Sequence, residues 1–282
     1  GGCYSNILNN CLLIYNSAGG DGIAAADGCC LTNCTLVYNR NRIDSDADDI
    51  VQFSTLRNCI LYYNDENKYE YGDGNFQYCC LDPGMNYTYS FNFPLCISNA
   101  PSFVNLTNDF HLQSNSPCIN AGANSFVASA SDLDGNPRVA GGTVDIGAYE
   151  YQSPASVISY AYLDQYGLPI DGSVDFADLD GTAFNVYQDW IADLNPTNPA
   201  SVLAMLASAA TNNPAGVRVS WQSVSGISYN LERSTNLLAI PTFVTITNIT
   251  GQAGATSFQD TTATRQEPYF YRVSVVAPYG QR

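Results

Sequence analysis

Three aspartates between residues 178 and 189 are spaced like the oxygen ligands of a calcium-binding loop. Carboxylates stand at loop positions 1, 3 and 12, a hydroxyl at position 5 and a backbone carbonyl at position 7: Asp178, Asp180, Asp189, Thr182 and Phe184. Calcium in proteins takes roughly six to eight oxygen ligands from such positions. The spacing therefore predicts a Ca²⁺ site that leads into a short helix over residues 185–192.

The loop resembles the aspartate-rich calcium repeats that bacterial surface proteins place between modules, of the general form DxDGDGxxNxxE. It departs from that form at three positions: Thr182 replaces an Asp, Ala183 a Gly with left-handed backbone, and Asp189 a longer Glu. Each change weakens the site, and Asp171 and Asp175 lie just upstream as additional carboxylates. The alternative is a metal-free loop that caps the helix and packs Trp190 between domains.

A second acidic cluster, Asp-Ser-Asp-Ala-Asp-Asp, occupies residues 44–49. Paired carboxylates carry out glycoside hydrolysis, and many β-helix enzymes cleave polysaccharides in this way. Two features argue against an enzyme here. The repeats described below are too few for a long sugar groove, and with His111 as the single histidine most acid–base schemes lack a proton carrier. We interpret the cluster as a solvated loop and assign no catalytic residue.

Ten cysteines all lie between Cys3 and Cys118. The CxxC pairs that zinc sites use are absent. An even number that includes the adjacent pairs Cys29–Cys30 and Cys79–Cys80 indicates an oxidising compartment and predicts disulfides in this half of the chain. Their connectivity does not follow from the sequence.

The first 64 residues contain an internal repeat. Three segments match, namely Asn-Cys-Leu-Leu-Ile-Tyr-Asn from residue 10, Asn-Cys-Thr-Leu-Val-Tyr-Asn from residue 33 and Asn-Cys-Ile-Leu-Tyr-Tyr-Asn from residue 58. In each, Cys, Leu and Tyr alternate with other residues, as on one face of a strand. A period of 20–25 residues with one strong strand fits a coil of a right-handed parallel β-helix. Stacked coils would then align Cys11, Cys34 and Cys59 as a ladder of small buried side chains, with the asparagines stacked in the turns.

Residues 116–151 carry a second, more specific pattern. It reads SPCINAG at 116–122, DLDGNPR at 132–138 and GGTVDIGAYEY at 141–151. This pattern resembles the closing segment of bacterial parallel β-helix surface proteins, the group whose C-terminal region is called a choice-of-anchor domain. The resemblance covers about residues 1–152. It implies a secreted, surface-attached protein whose β-helix ends here and is followed by an anchoring or accessory module, and it carries no catalytic residues over.

The remainder of the chain is predicted to hold a linker and one small domain. Residues 153–200 read as a linker with the calcium-loop-like insert and its short helix. Residues 201–282 show short alternating strands separated by turn residues, as in an antiparallel β-sandwich. They resemble a fibronectin type III module, with Trp221 in the core and Tyr271 on the penultimate strand. The predicted fold class is therefore all-β, with the last coils of a parallel β-helix followed by a small β-sandwich.

The composition favours an extracellular protein. The formal net charge is −16, with 26 acidic against 10 basic residues, and Lys68 is the only lysine. Such a surface repels phosphate backbones, which excludes nucleic acid as a partner. No run approaches the roughly 18 apolar residues that a membrane helix needs.

The first repeat begins without a visible cap, and the end of a stack of coils exposes unpaired backbone groups and apolar side chains. Either further coils precede it or another molecule covers it, and a second copy would join head to tail into a filament. We therefore predict a non-catalytic extracellular structural protein, a filament or stalk subunit. One alternative is an adhesin or glycan-binding surface module that uses tyrosines such as Tyr69 and Tyr71. The last alternative is the C-terminal part of a polysaccharide-degrading enzyme.

Overall fold

A computed structural model describes residues 2–19, 22–41, 50–64, 74–84, 95–212, 215–264 and 268–276. In these residues the regular secondary structure is mostly β-strand, with two short α-helices and one 3₁₀ turn, so the predicted all-β class is confirmed. The chain divides into two compact units, residues 1–175 and 176–280. The predicted linker, residues 153–200, contributes to both units.

The first unit begins with very short strands of two or three residues, which pair with one another in parallel. In chain order they are β1 (Cys3–Tyr4), β2 (Ile7–Asn9), β3 (Leu12–Ile14), β4 (Ser17–Ala18), β5 (Ala26–Asp27), β6 (Cys30–Thr32), β7 (Thr35–Val37), β8 (Arg40–Asn41), β9 (Val51–Gln52), β10 (Thr55–Arg57), β11 (Ile60–Tyr62), β12 (Asn75–Gln77) and β13 (Cys80–Leu81).

The strands stack one repeat above the next with constant register. Two four-stranded parallel sheets form in the order β2-β6-β10-β12 and β3-β7-β11-β13, beside the smaller sheets β1-β5-β9 and β4-β8. In the second of these sheets Leu12 lies opposite Thr35, Thr35 opposite Ile60, and Ile60 opposite Cys80. Because neighbouring strands lie about 4.8 Å apart, residues one repeat apart meet as ladders.

A corner with left-handed backbone separates each strand from the next. Positive φ angles of 49–61° recur at every fifth residue within a repeat, at residues 5, 10, 15; 28, 33, 38; and 53, 58, 63. Asparagine and glycine tolerate this conformation well, which explains their places at several corners.

The tyrosine of each repeated segment lies at a corner just after the observed strand, although the prediction placed it within the strand. Tyr15, Tyr38 and Tyr63 have φ of 55–56°, a conformation that costs a bulky residue about 1–2 kcal/mol. Their rings stack on one another with centroids 5.3 and 6.0 Å apart, which offsets part of that cost. The prediction that Cys, Leu and Tyr share one face is therefore wrong for the tyrosines. The cysteines and leucines lie in the core inside the stack, whereas Tyr38 and Tyr63 pack against a separate apolar cluster that includes Phe103.

The core of the stack is built from ladders of like residues. Leu13, Leu36, Leu61 and Leu81 lie opposite one another and are buried, as are Leu31, Leu56 and Phe76 in the neighbouring sheet. Each ladder keeps apolar side chains in contact along the stack. Because the same residue type recurs at the same position, successive repeats pack with the same geometry.

The rest of the first unit contains little regular structure. An antiparallel pair, β14 (Phe103–Asn105) and β15 (Asp109–Leu112), is followed by a 3₁₀ turn (Asn124–Phe126) and helix α1 (Tyr160–Gln165). The side chain of Ser159 accepts a hydrogen bond from the Tyr162 N–H and so caps α1.

The described residues of the second unit form one helix and two antiparallel sheets. Helix α2 (Val186–Ala192) is followed by β16 (Met205–Asn212), β17 (Ala215–Ser223), β18 (Ser228–Ser234), β19 (Val244–Thr250), β20 (Gly254–Asp260) and β21 (Phe270–Val275). The sheets have the orders β16-β17-β20 and β19-β18-β21. Trp221 is fully buried in their shared core beside Tyr229 and Leu231, as predicted for this tryptophan.

None of the helices in the described ranges is long and apolar enough to cross a membrane.

Candidate functional site

The predicted calcium loop forms a compact turn around its first two aspartates. The Asp178 carboxylate accepts hydrogen bonds from the N–H groups of Gly181 at 2.7 Å and Ala183 at 3.0 Å. Asp180 accepts from the Thr182 N–H at 3.1 Å and from its hydroxyl at 2.8 Å. The loop is therefore closed by its own backbone donors.

The loop leads into the predicted helix. Asn185 caps α2 through a reciprocal pair of hydrogen bonds with Gln188, so the predicted helix at 185–192 is confirmed. Ala183 has φ of 69°, a left-handed conformation, at the position where the DxDGDGxxNxxE pattern has glycine. The alanine therefore holds a strained backbone where the sequence pattern indicated strain.

Two carboxylate oxygens in this loop are buried without a hydrogen-bond partner, Oδ2 of Asp180 and Oδ1 of Asp189. Asp189 is only 1% exposed, and its burial together with the charges of Asp180 and Asp178 raises its pKa to about 6. A bound cation would supply a partner for both oxygens and would reduce the repulsion between the carboxylates. Among the described residues, no cluster of three or more His, Cys, Asp or Glu side chains is already arranged to hold a metal ion.

Asp175 lies in the first unit, where its carboxylate is occupied. One oxygen accepts the Ser156 hydroxyl at 2.7 Å and the other accepts the Val157 N–H at 3.0 Å. The remaining predicted ligands, residues 178–189, belong to the second unit.

The second acidic cluster at residues 44–49 and the tyrosines Tyr69 and Tyr71 lie outside the described residues.

Five cysteines form a ladder through the stack, one in each successive repeat: Cys11, Cys34, Cys59, Cys79 and Cys96. Cys11, Cys34, Cys59 and Cys79 directly precede strand residues that pair in register, and Cys96 precedes Ile97, which bridges Cys80. Each of the first four thiols donates to the carbonyl two residues earlier, at 3.2–3.4 Å. The aligned cysteines predicted from the repeat are present, and two further rungs extend them.

The predicted disulfides are not formed in the structure, where all ten cysteines are free thiols. The regular spacing of the cysteines arises because stacked repeats align like residues. In the ladder the thiols therefore act as small buried side chains of the core.

The asparagine after each repeated strand forms an amide ladder. Nδ2 of Asn16 donates to Oδ1 of Asn39 at 2.9 Å, and Nδ2 of Asn39 donates to Oδ1 of Asn64 at 3.0 Å. Asn39 and Asn64 are buried, and each also reaches the carbonyl of a leucine in the preceding repeat. The predicted stacking is therefore confirmed for the asparagines that follow the repeated strands.

The asparagine before each repeated strand points elsewhere. Asn10 donates to the Ser131 carbonyl at 2.7 Å, Asn33 to that of Asp145 at 3.3 Å, and Asn58 to that of Ala123 at 3.0 Å. These corner residues therefore attach the stack to residues 116–151, here named the closing segment. The sequence pattern showed the asparagines but gave no sign of these partners.

A buried ion pair holds the closing segment together. Nη2 of Arg138 lies 2.7 Å from Oε2 of Glu150, and both side chains are almost fully buried. Arg138 also donates to the carbonyls of Gly147, Ala148 and Tyr149 at 3.0–3.1 Å. The charged residues of the recognised sequence pattern thus stabilise an irregular backbone.

Asp145 completes this network. Its carboxylate accepts the N–H groups of Asn120 at 2.8 Å and Tyr151 at 2.6 Å. Its burial and the nearby charge of Glu150 raise its pKa well above the ordinary value. The strongly shifted carboxyl is therefore a structural group, tied to backbone donors on both oxygens.

An open cavity of about 680 Å³ lies beside the first repeat, lined by Tyr15, Asn105, Asn108, Asp109, His111 and Tyr149 among others. The His111 ring lies between two carboxylates, with Nδ1 2.5 Å from Asp109 and Nε2 2.7 Å from Asp134. It also stacks on the Tyr149 ring at 3.9 Å. Partial burial opposes the charge on His111, but the two aspartates outweigh it and raise its pKa. His111 lies in strand β15, and nothing in the sequence indicated its position in a cavity.

The first repeat presents an open edge. Strands β1 to β4 each lie at the outer edge of their sheet. Tyr4, Ile7 and Tyr15 are 71%, 78% and 56% exposed. Leu8 is only partly buried, although its ladder partner Leu31 is 1% exposed. Apolar side chains that are covered inside the stack are therefore partly open to solvent at this edge.

Comparison with family models, with curated proteins and with solved structures finds no match to this chain.

Proposed function

We propose that this chain is a non-catalytic extracellular structural protein that self-associates through the open edge of its first repeat. Residues 1–152 would form the closing coils of a right-handed parallel β-helix, and residues 201–282 a fibronectin III-like β-sandwich. The acidic, lysine-poor composition supports an extracellular location. The parallel, in-register pairing of four successive repeats supports the β-helix interpretation.

The open edge is the observation that carries the proposal. A parallel strand pairs equally well on both sides, so β2 and β3 offer their outer backbone groups to another strand. The side chains favour a coil of the same kind. The exposed face of Tyr15 ends a stack of tyrosine rings, and Leu8 and Cys11 end ladders of like residues. The partner that fits is therefore another coil with the same ladders, and we propose that a second copy of the chain supplies it.

A charge on the edge strand tests the proposal. The variant Ile7→Lys changes a side chain that is 78% exposed, so folding is preserved, and it places a lysine where natural edge strands use one to prevent pairing. We expect self-association of the full chain, measured by sedimentation velocity and electron microscopy, to weaken at least tenfold.

The matched control is Leu238→Lys, which makes the same kind of change at a leucine that is 91% exposed in the second unit. It should leave association unchanged. A wild-type protein that stays monomeric at high concentration contradicts the proposal, as does equal weakening by both variants.

We further propose that the loop at residues 178–189 binds Ca²⁺. The partnerless oxygens of Asp180 and Asp189 support this, with Thr182 and the Phe184 carbonyl as neighbouring oxygen donors. Terbium luminescence sensitised by Trp190, which lies one residue from Asp189, should appear with wild type and be displaced by Ca²⁺. Asp189→Asn should abolish it, whereas Asp193→Asn, just beyond α2, should not.

A second candidate function is glycan binding in the cavity beside His111. Its Tyr15 and Tyr149 rings and the amides of Asn105 and Asn108 are the apolar and polar elements that sugar recognition combines. On a glycan array, Tyr149→Ala should remove binding that Tyr4→Ala retains, because Tyr4 is an exposed tyrosine not among the cavity-lining residues. Equal signals from both variants would contradict this function.

A further inference from the structure

The pair Cys3 and Cys29 lies outside the thiol ladder, the name used here for Cys11, Cys34, Cys59, Cys79 and Cys96. The two sulfur atoms lie 2.6 Å apart, although they are on adjacent repeats and 26 residues apart in the chain. Two unbonded sulfurs at van der Waals contact are much further apart, while a disulfide holds them at about 2.05 Å. The sulfurs therefore already occupy nearly the positions that a covalent bond requires.

The backbone on both sides of this pair is held in place. The Cys3 N–H donates to the Ala25 carbonyl at 2.8 Å, and the Cys29 N–H donates to the Ser54 hydroxyl at 3.0 Å. Cys3 lies opposite Ala26 in the parallel ladder, one corner away from Cys29. The close approach of the sulfurs is thus set by strand pairing and requires no loop movement.

Only one of the two thiols is open to reagents. Cys3 is partly exposed in the edge strand β1, whereas Cys29 is 1% exposed. In the thiol ladder, by contrast, Cys34, Cys59 and Cys79 are fully buried. Cys11 is the one partly exposed member near the same edge, and its thiol contacts the Cys34 thiol and donates to the Asn9 carbonyl. The sulfur–sulfur contact of 2.6 Å therefore involves an accessible thiol at Cys3.

We propose that Cys3 and Cys29 form a disulfide when the protein meets a disulfide oxidant. The Cys3 thiolate attacks one sulfur of the oxidant, releases its other half as a thiol, and forms a mixed disulfide. The Cys29 sulfur then loses its proton, attacks the Cys3 sulfur and releases the second thiol. The bond links the first repeat to the second, and it does not depend on self-association.

The rate of this reaction should rise with pH. Burial and the contact with Cys29 raise the pKa of Cys3 to about 12, so the reactive thiolate is scarce at neutral pH. Between pH 7 and 9 the thiolate population, and with it the rate, should rise about tenfold per pH unit.

Peptide mapping after treatment with oxidised glutathione tests the bond. Cleavage before aspartate places Cys3 and Cys11 in residues 1–20, and Cys29, Cys30 and Cys34 in residues 27–43. The folded wild type should lose about 2 Da and give these two peptides as one cross-linked species that a reductant separates. Cys3→Ser should abolish the species.

The control is Cys11→Ser, a substitution at the other partly exposed cysteine of the first repeat. It should leave the cross-link intact. The proposal is overturned if the species persists in Cys3→Ser, if it disappears in Cys11→Ser, or if the folded wild type forms no cross-link while its thiols remain free. Because the readout is a mass, a protein that fails to self-associate still gives an unambiguous answer.

Discussion

The stacked repeats and the closing segment lie in the same unit but are stabilised by different means. In the repeats, short strands pair in register and place leucine on leucine and asparagine on asparagine. In the closing segment, residues 116–151, side chains such as Arg138 and Asp145 bind backbone groups of an irregular chain. A repeated structure can rely on backbone pairing, whereas its irregular end needs individual side chains to satisfy buried backbone groups.

The largest expected effect is loss of the buried arginine. Arg138→Ala should lower the free energy of unfolding by about 3–5 kcal/mol, because it leaves the buried Glu150 carboxylate without its partner. Urea denaturation of the full chain measures this. Arg57→Ala, at a partly exposed arginine in the repeats, is the control and should cost less than about 1 kcal/mol. Equal losses would mean that the closing segment does not depend on its ion pair.

A leucine in the middle of the stack should matter nearly as much. Leu36→Ala removes a fully buried side chain between Leu13 and Leu61 and should cost about 2–5 kcal/mol in the same measurement. Leu8→Ala, at the partly exposed edge, should cost less than half of that. If Leu8 costs as much as Leu36, the edge is already covered in solution, which would itself indicate an associated partner.

The amide ladder should contribute a smaller amount. Asn39→Ala removes hydrogen bonds to Asn16, Asn64 and the Leu13 carbonyl, and should cost about 1–3 kcal/mol. Asn75→Ala, at an exposed asparagine of strand β12, serves as the control and should stay within about 0.5 kcal/mol. A neutral Asn39→Ala would show that strand pairing alone maintains the register.

The smallest effect concerns pH. The folded pKa of His111 lies above its ordinary value of 6.5, so its ion pairs with Asp109 and Asp134 contribute fully below that value and are lost as pH rises through the folded pKa. An NMR titration is unambiguous because the chain has one histidine. Asp134→Asn should lower the measured pKa. A wild-type value at or below 6.5 would contradict the ion pairs.

The repeats were predictable because periodicity is visible in a single sequence. The spacing of Cys11, Cys34 and Cys59 predicted their alignment, and the calcium-loop pattern predicted the helix that begins after Asn185. The predicted position of the tyrosines was wrong, because the alternation of side chains in so short a segment does not reveal that a corner ends the strand at the tyrosine.

Contacts between distant residues were not predictable. Nothing periodic links Asn58 to Ala123 or Arg138 to Glu150, since such hydrogen bonds depend on where an irregular backbone ends up in space. The pattern around Arg138 was identified only by resemblance, which gave no role to the individual side chains. The cavity at His111 combines β3, β14 and β15 with Tyr149, and no local sequence signal joins these parts.

The corners at every fifth residue divide each repeat into a part of constant length and a part whose length varies. Between corners 5, 10 and 15, or 53, 58 and 63, the length never varies, while the path from Tyr15 to the corner at Gly28 takes 13 residues and that from Tyr38 to Phe53 takes 15. The difference in length between these repeats is thus confined to one flank. Foreign peptides grafted on that flank should be tolerated, whereas one residue inserted between two corners would reverse every side chain after it.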